Sequence, residues 1–390
     1  MTIPLDPGQL IASAREQTGH SDLDDDSLPD RLAILLSWLD QRLNHDDQRQ
    51  RAAVVAHGLL VQRLEFLAAR DQYPLKDERI ETPLVTFGEA RSGTTVLQML
   101  LGCDTEARLL EFWEVMYPGP PPGVSDTKER KQRADEDWRE ILHKIPKWLI
   151  SHPYNAMLGR NPPECERLWA MDLRSAPPTA WWRVPAIPLE PPPLKLPQDQ
   201  VRQYQIHTMF LQYLQYGMPS KRWVLKGISH QHRLAALLNA YPDATLVWIH
   251  RDPLAAIASR FELHAQVFEG IAGSVDRPAF ARATIETCKN NFRTAAENPL
   301  AADPRIHHLL YKDFIADPVR AIRELYNRVG LAYTKEFETA MRTWLAENPP
   351  GRFGPFSYTE SALGVDTDQL DQELDPYRER FGVPRERRKR

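Results

Sequence analysis

The strongest structural pattern in the chain is the segment Pro83-Leu-Val-Thr-Phe-Gly-Glu-Ala-Arg-Ser-Gly-Thr-Thr95, followed at once by the apolar run Val96–Leu101. Its first five residues include β-branched and aromatic side chains, which is typical of a short strand. Residues Gly88–Thr95 are rich in small, turn-forming side chains, and the apolar run indicates a helix. A strand, a glycine loop and a helix in this order let backbone N–H groups hold a phosphate, so the segment predicts a P-loop-like α/β fold.

Later segments predict the rest of the sheet. Lys221–Leu225, Ala244–Ile249 and Ile306–Tyr311 each have the apolar pattern of a strand. Helical patterns separate them, and strands that alternate with helices indicate a parallel sheet flanked by helices. Ligands of such sheets bind at the carboxyl ends of the strands. Lys226 and Arg251 lie at two of these ends, so we expect both near the glycine loop.

The regions around this core differ in composition. Residues 1–81 predict a helical preface packed on the core, and residues 82–384 the α/β domain itself. Within that domain, residues 117–200 are a predicted insertion that forms a pocket, with its proline tracts as extended connections that line or cover it. Its proline tracts are Tyr117–Gly123 and Val184–Pro197, and its tryptophans are Trp138, Trp148, Trp169, Trp181 and Trp182. Residues 385–390 predict a basic, solvated tail.

The composition excludes several classes of protein. The chain has 390 residues and a formal net charge of −4, which gives no reason to expect nucleic-acid binding. Its three cysteines include no CxxC pair, so we expect reduced thiols in a cytoplasmic protein, without a zinc site or disulfides. Neither a secretory signal nor an uninterrupted apolar run of about 18 residues is present, so we expect no membrane span. The sequence leaves a homo-oligomer open.

The glycine loop has a charge pattern unlike that of ATP- and GTP-hydrolysing enzymes. Gly88 and Gly93 have P-loop spacing, but Thr94 stands where those enzymes have a lysine. The positive charge lies inside the loop instead, at Arg91. Those enzymes also need an acidic residue that holds Mg²⁺, whereas the strongest strand here ends in His250-Arg251. The pattern therefore indicates a nucleotide bound without metal, with arginines supplying the positive charge.

A second candidate anion site follows the strand Ala244–Ile249. Arg251 stands at the strand end, and Ser259 follows eight residues later, two turns into the next predicted helix. An arginine fork and a hydroxyl in this arrangement suit a phosphate separate from the one in the loop. The two elements together predict a nucleotide with phosphate groups at two positions.

These elements resemble the sulfotransferase family, and are most similar to its bacterial branch with a P-R-S-G-T-T loop. The resemblance extends from about residue 83 to 384. It rests on A-R-S-G-T-T (Ala90–Thr95), Trp113–Pro122, Trp223–Lys226 with His230, H-R-D-P-x5-S (His250–Ser259), Tyr311–Pro318, and Tyr358 with Pro376–Gly382.

The chain departs from the family pattern at two positions. Glu89-Ala90 stands where the family has a proline before the centre of the loop, and Ile228 replaces the proline of the family's L-K-x-P-x-H stretch. A carboxylate beside a bound phosphosulfate repels it unless the carboxylate points away or pairs with a cation.

The resemblance implies 3′-phosphoadenosine-5′-phosphosulfate (PAPS) as the donor and PAP as the product. The residues expected to hold the donor are Gly88, Arg91, Ser92, Gly93, Thr94 and Thr95 at the 5′-phosphosulfate, Arg251 and Ser259 at the 3′-phosphate, and Tyr311 and Tyr358 along the nucleotide. Sulfuryl transfer also needs positive charge at the departing phosphate and a base for the acceptor. Arg91 and Lys226 suit the first task. Glu114 is slightly favoured over Glu111 for the second.

The sequence thus predicts transfer of a sulfuryl group, without metal, to a hydroxyl or similar group of a small, partly apolar acceptor. A lipid, sterol, phenol or bacterial secondary metabolite would fit. Two alternatives stay within the same fold: a binding protein that has lost catalysis, or an enzyme that sulfates a hydroxyl to make it a leaving group. A P-loop kinase is disfavoured because the loop lysine and the acidic strand end are missing.

Overall fold

The protein is described by a computed structural model over residues 5–41, 43, 46–173, 200–219, 221–272 and 274–386. The strands are β1 (Leu84–Phe87), β2 (Ala107–Leu109), β3 (Arg222–Lys226), β4 (Thr245–His250) and β5 (Ile306–Leu310). The α-helices are α1 (Pro7–Thr18), α2 (Leu28–Asp40), α3 (Asp46–Arg70), α4 (Thr94–Leu101), α5 (Phe112–Met116), α6 (Lys128–Lys144), α7 (Trp148–Ser151), α8 (Glu166–Ala170), α9 (Gln200–Gln215), α10 (Leu234–Ala240), α11 (Pro253–Ala272), α12 (Arg277–Glu297), α13 (Tyr311–Ala316), α14 (Pro318–Val329), α15 (Lys335–Glu347), α16 (Thr367–Glu373) and α17 (Asp375–Phe381).

The five strands form one parallel sheet in the order β2-β3-β1-β4-β5. β1 is central, and its Leu84 is in register with Val224 on one side and Thr245 on the other. This confirms the predicted α/β class with a P-loop-like parallel sheet. Because all strands run the same way, their carboxyl ends meet at one edge, where the glycine loop leaves β1.

Both faces of the sheet are covered, as parallel sheets require. Side chains alternate along each strand, so Val85 and Trp248 join one buried cluster while Leu84 and Val247 join another. The first cluster is completed by apolar side chains of α9, α10, α11 and α12. The second is completed by side chains of α4, α14 and α15. The glycine loop therefore connects a buried strand to a helix on one face of the sheet.

Beyond its first proline tract, Tyr117–Gly123, the described part of the predicted insertion is largely helical. In its described part, residues 117–173, the chain forms α6, α7 and α8. α6 is strongly charged and buries only Ala134 and Trp138. Its sequence therefore lacks the apolar periodicity that indicates a helix, and it lies close to a proline tract. Trp169 is a core residue. The second proline tract, Val184–Pro197, and the tryptophans Trp181 and Trp182 lie outside the described residues.

Several elements were not predicted, among them α5 to α8, α13 and α15 to α17, and two of the others, β2 and α12, are next to the site. β2 is only three residues long and reads Ala-Arg-Leu, which is too short for an alternating pattern to be recognised. α12 is 21 residues long but carries many polar side chains, and its apolar face packs on α11 and α17. Both elements bear on the site, because β2 leads into α5 and α12 contributes a side chain beneath the glycine loop.

The N-terminal helices α1, α2 and α3 share a buried cluster of their own. α3 has the length and apolar composition of a membrane-crossing helix, but 61% of its most apolar window is buried inside the protein. A buried ion pair between Arg63 Nη1 and Asp172 Oδ1 (3.0 Å) joins α3 to the segment after α8. Such burial is typical of a core helix.

Candidate functional site

The glycine loop needs its two glycines for steric reasons. Gly88 has φ 152° and would place a Cβ 2.3 Å from the carbonyl oxygen of Ile249. Gly93 has φ 90° and would place a Cβ 2.9 Å from the ring of Tyr311. A side chain at either position would push the loop away from β4 or from Tyr311. The loop thus lies directly against the neighbouring strand end.

Gly93 is also the N-cap residue of α4, and no side chain caps this helix. The first N–H groups of a helix have no partner within the helix, and its N-terminus carries partial positive charge. Thr94 and Thr95 begin this helix. The loop therefore presents backbone donors to an anion at the carboxyl edge of the sheet.

Arg91 holds the centre of the loop in an unusual conformation. Its φ of 72° lies in the left-handed region, which is strained for a residue with a side chain and is found mainly at functional sites. Its Nε donates to Ser259 Oγ (3.0 Å) and its Nη1 to the carbonyl of Ser151 (3.4 Å). The ring of Phe356 lies 5.0 Å from the guanidinium carbon.

No carboxylate pairs with Arg91 among the residues that the structure describes. Burial lowers the pKa of Arg91, and the nearby positive charge of Arg251 lowers it further. A desolvated guanidinium without an anionic partner is costly to maintain. The loop is therefore electrostatically prepared for an anion that it does not itself contain.

Arg251, at the end of β4, is the second cation of the site. Its guanidinium lies 4.5 Å from the ring centre of Tyr311, and its Nη2 donates to Tyr358 Oη (2.5 Å). Its Nη1 donates to the carbonyl of Arg91 (2.8 Å), so the second element directly supports the loop. Four of the predicted residues, Arg91, Arg251, Tyr311 and Tyr358, are thus brought together. Ser259 is adjacent to them through its bond to Arg91.

Arg251 also has a partner that the sequence did not predict. Glu386 meets it with two hydrogen bonds, at 2.6 Å from Nε and 2.8 Å from Nη2. Burial is the largest influence on the pKa of Arg251 and lowers it, but the hydrogen bonds with Glu386 together with the charges of Tyr358, Glu386 and Tyr311 raise it overall. The first two residues of the predicted tail make ion pairs with the domain: the exposed Arg385 pairs with Asp371, and Glu386 pairs with Arg251. Residues 387–390 lie outside the described part of the chain.

Lys226, at the end of β3, is the third cation. Its Nζ donates to Thr95 Oγ1 (3.0 Å) and to Glu164 Oε1 (3.2 Å). Burial is the largest influence and lowers its pKa, but the charge and hydrogen bond of Glu164, together with the charges of Tyr154 and Glu166, raise the pKa overall. The ammonium therefore stays protonated and in contact with the start of α4.

The carboxylate of Glu89 accepts from the backbone N–H of Ala90 (3.0 Å) and is neutralised by a cation. It is buried and forms an ion pair with Arg260, the residue after Ser259. Asn291 Nδ2 of α12 donates to it at 2.7 Å, and Gln231 Nε2 at 3.4 Å. This pairing removes the electrostatic objection to an acidic residue at the start of the loop.

Ile228 is accommodated with little change of backbone. It is the first residue of a 3₁₀ turn, Ile228–His232. Proline is tolerated at the first position of such a turn because the N–H there needs no partner within it. An isoleucine at that position leaves the same turn in place.

Glu111 and Glu114 hold the start of α5 in a reciprocal capping arrangement. Glu114 Oε1 pairs with Arg108 Nη2, and its Oε2 accepts from the backbone N–H of Glu111 (2.9 Å). Glu111 Oε2 accepts from Trp113 Nε1 (2.6 Å), and burial raises the Glu111 pKa. Neither carboxylate forms a hydrogen bond or ion pair with Arg91 or Lys226 in the described chain.

A row of aromatic rings approaches the loop from the insertion. Adjacent ring centres lie 5.0 to 6.2 Å apart along Phe112, Trp138, Trp148, His152 and Tyr154. The row reaches the loop because the Ser151 carbonyl accepts from Arg91. Burial, and then the charges of Arg91 and Lys226, hold the pKa of His152 well below its usual range. The wall beside the loop is therefore apolar and carries a neutral imidazole.

Sequence reasoning missed Glu164, Arg260 and Glu386. A signal existed for Arg260, because a buried Glu89 needs a cation and Arg260 directly follows a predicted ligand. Glu164 and Glu386 carry no motif that distinguishes them from surface carboxylates. Their roles depend on chain segments far away in the sequence.

A family model described as "Sulfotransferase family" matches residues 83–335 of the chain. Among curated proteins, the omega-hydroxy-beta-dihydromenaquinone-9 sulfotransferase Stf3 of Mycobacterium bovis is 26% identical over 315 residues, which cover 76% of this chain and 75% of the relative. The Mycobacterium tuberculosis protein of the same name gives the same figures.

Two solved sulfotransferase structures are similar to this chain over nearly its whole length. The sulfotransferase STF9 of Mycobacterium avium superposes with a TM-score of 0.80 at 25% identity, covering 97% of both chains. The sulfotransferase STF1 of M. tuberculosis H37Rv gives 0.75 at 26% identity, covering 94% of this chain and 97% of the other.

Proposed function

The chain belongs to the sulfotransferase family, and from this premise we propose that it transfers a sulfuryl group from PAPS to a hydroxyl group on a small, partly apolar acceptor and releases PAP. The single observation that carries the choice of donor is Arg91. This desolvated guanidinium has no carboxylate partner in the described chain, and it lies beside the uncapped N-terminus of α4. A phosphosulfate supplies the missing negative charge.

The second element supports a nucleotide with two separate anionic groups. Arg251 and Ser259 both contact Arg91, so a donor that places its phosphosulfate in the loop reaches them with its other phosphate. Tyr311 and Tyr358 surround Arg251 and border the same space. A donor with a 3′-phosphate and a 5′-phosphosulfate meets this arrangement of charge.

The proposed reaction is an in-line displacement at sulfur. The acceptor oxygen forms a bond to sulfur while the bond from sulfur to the bridging phosphate oxygen breaks, and the electron pair of that bond moves to the phosphate. Arg91 and Lys226 lie where this charge develops, and they are fixed before the reaction by their bonds to Ser259 and Thr95. Preorganised cations of this kind lower the barrier because they need no rearrangement as charge develops.

The acceptor must lose a proton, and Glu164 is better situated to take it than Glu114 or Glu111. It lies 3.2 Å from Lys226, its side chain is 29% exposed, and its other oxygen has no protein partner in the described chain. In contrast, both oxygens of Glu114 are engaged by Arg108 and by the backbone of Glu111. We therefore assign the base to Glu164.

An apolar acceptor is supported by the aromatic row that ends beside the loop. The curated relative is named for a hydroxylated menaquinone, an apolar molecule with a hydroxyl group. Hydroxylated quinones and phenols are consequently the first acceptors to screen. Identification of the product by mass spectrometry separates stable sulfation from sulfation that leads to elimination or ring closure.

The donor assignment is tested by calorimetric titration of the purified protein with PAP, in the absence of metal. We expect binding that Arg251→Ala weakens about tenfold or more, because a charge-assisted contact is lost. The exposed Arg352→Ala is the matched control and should leave the Kd within about twofold. A wild-type protein that does not bind PAP would show that the donor is wrong.

A further inference from the structure

Glu386 lies on the cation that the proposed function assigns to the donor's 3′-phosphate. The pair is bidentate, with Oε1 2.6 Å from Arg251 Nε and Oε2 2.8 Å from Nη2. This is the geometry in which arginine also binds two oxygens of a phosphate. A carboxylate of the chain thus sits where an external anion is expected.

The arginine has almost no donor capacity left for such an anion. A guanidinium has five N–H donors. Arg251 already uses four of these donors. Two donate to Glu386, one to Tyr358 and one to the carbonyl of Arg91. One Nη1 hydrogen remains. A 3′-phosphate therefore cannot accept two hydrogen bonds from Arg251 while Glu386 retains both of its hydrogen bonds to the same guanidinium.

The position of Glu386 is set by further contacts of its segment. Its backbone N–H donates to Asp252 Oδ2 (2.9 Å), and the preceding Arg385 donates to Asp371 Oδ2 (3.0 Å). Asp252 is itself held by Arg378 of α17. The segment after α17 is thus attached at Arg385 and at the backbone of Glu386, next to the residue that follows Arg251.

We propose that Glu386 competes with the 3′-phosphate of the donor for Arg251 and leaves Arg251 when the donor binds. The side chain thereby determines how strongly the enzyme prefers 3′-phosphorylated nucleotides. This inference rests on the proposed donor. The exchange trades one anion for another at Arg251, so the arginine is never left buried and unpaired.

The proposed exchange should affect the binding only of nucleotides that carry a 3′-phosphate. Removing the carboxylate eliminates both the competition for Arg251 and the repulsion between two anions. The affinity for PAP should therefore rise in Glu386→Gln by about tenfold, the scale of one charge-assisted contact. The affinity for AMP, which lacks only the 3′-phosphate, should change by less than about twofold.

The experiment is a set of calorimetric titrations of the full chain with PAP and with AMP, at one ionic strength. The variants are wild type, Glu386→Gln and Glu386→Ala, and thermal unfolding without nucleotide shows whether each is folded. Glu379→Gln is the matched control, because it removes the same charge from an exposed position on α17. We expect the ratio of AMP Kd to PAP Kd to increase about tenfold in both Glu386 variants and to stay unchanged in Glu379→Gln.

The outcomes separate the two proposals. If wild type binds PAP and neither Glu386 variant changes the ratio, the exchange is refuted while the donor assignment stands. An equal gain for PAP and AMP also refutes it, since that result indicates a general charge effect. If no variant binds PAP, the donor assignment itself fails and the exchange fails with it.

Discussion

Arg91 and Ser259 are joined by a hydrogen bond of 3.0 Å between Nε and Oγ, although they are 168 residues apart in the chain. Ser259 is fully buried, so its hydroxyl has little access to water in place of this partner. The bond links the glycine loop to α11 and fixes the direction of a strained arginine. The bond thus joins the two elements that the sequence predicts to bind anions.

Ser259→Ala should weaken PAP binding. The substitution removes a hydroxyl bonded to a charged group, and such bonds contribute about 1.5–3 kcal/mol, which corresponds to a loss of roughly 10- to 100-fold in affinity. Calorimetry with PAP measures the loss, and Ser361→Ala, at an exposed position, serves as the control. An unchanged Kd would mean that neither the 3′-phosphate nor Arg91 depends on this hydroxyl.

Glu89→Gln should lower the free energy of unfolding, and its main effect should be on stability, not on turnover. The substitution leaves Arg260 buried without its carboxylate, and breaking a buried pair from one side costs about 3–5 kcal/mol. Urea unfolding measures this loss. Glu297→Gln removes an exposed helical pair with Arg293 and should cost at most about 0.5 kcal/mol. A loss below about 1 kcal/mol for Glu89→Gln would argue against a structural role for the ion pair.

Glu164→Gln should lower turnover while PAP binding is retained. General-base catalysis contributes about 10²- to 10⁴-fold, so kcat should fall within that range on the first acceptor that the wild type sulfates. Glu114→Gln is the comparison, and its main effect should be on unfolding because it breaks the pair with Arg108. If Glu114→Gln is folded and inactive while Glu164→Gln is active, the base is Glu114 after all.

The free energy of unfolding should fall as the pH drops below about 6.5. Burial lowers the pKa of His207 to about 3, from an ordinary value of 6.5, and its Nδ1 lies 2.5 Å from Tyr241 Oη. The folded state keeps this imidazole neutral, whereas the unfolded chain takes up a proton. The stabilisation is therefore complete above pH 6.5 and is lost progressively between 6.5 and 3.

At pH 5 the protonation of His207 in the unfolded chain lowers the free energy of unfolding by about 2 kcal/mol relative to neutral pH. Urea unfolding at pH 7 and pH 5 measures the change, and His207→Gln isolates the contribution because its stability should depend less on pH. Equal slopes in the two proteins would show that His207 is protonated in the folded state or shielded in the unfolded one.

Much of the fold and the donor side of the site followed from local sequence patterns. Apolar runs of five or six residues gave β3 and β4, and the spacing of Gly88 and Gly93 gave the loop. The parallel sheet then required Lys226 and Arg251 to meet near that loop, because the carboxyl ends of parallel strands share one edge. Periodicity and glycine requirements act over a few residues, so one sequence contains them.

The pairing of charges could not be obtained in this way. Glu89 meets Arg260 across 171 residues, Glu386 meets Arg251 across 135, and Glu164 meets Lys226 across 62. Nothing in a carboxylate's immediate neighbours distinguishes a surface residue from a partner of a buried cation. Which segments become adjacent depends on the packing of α11, α12 and the segment after α17, since Coulomb attraction in a protein interior acts over a few ångströms in space, regardless of separation along the chain.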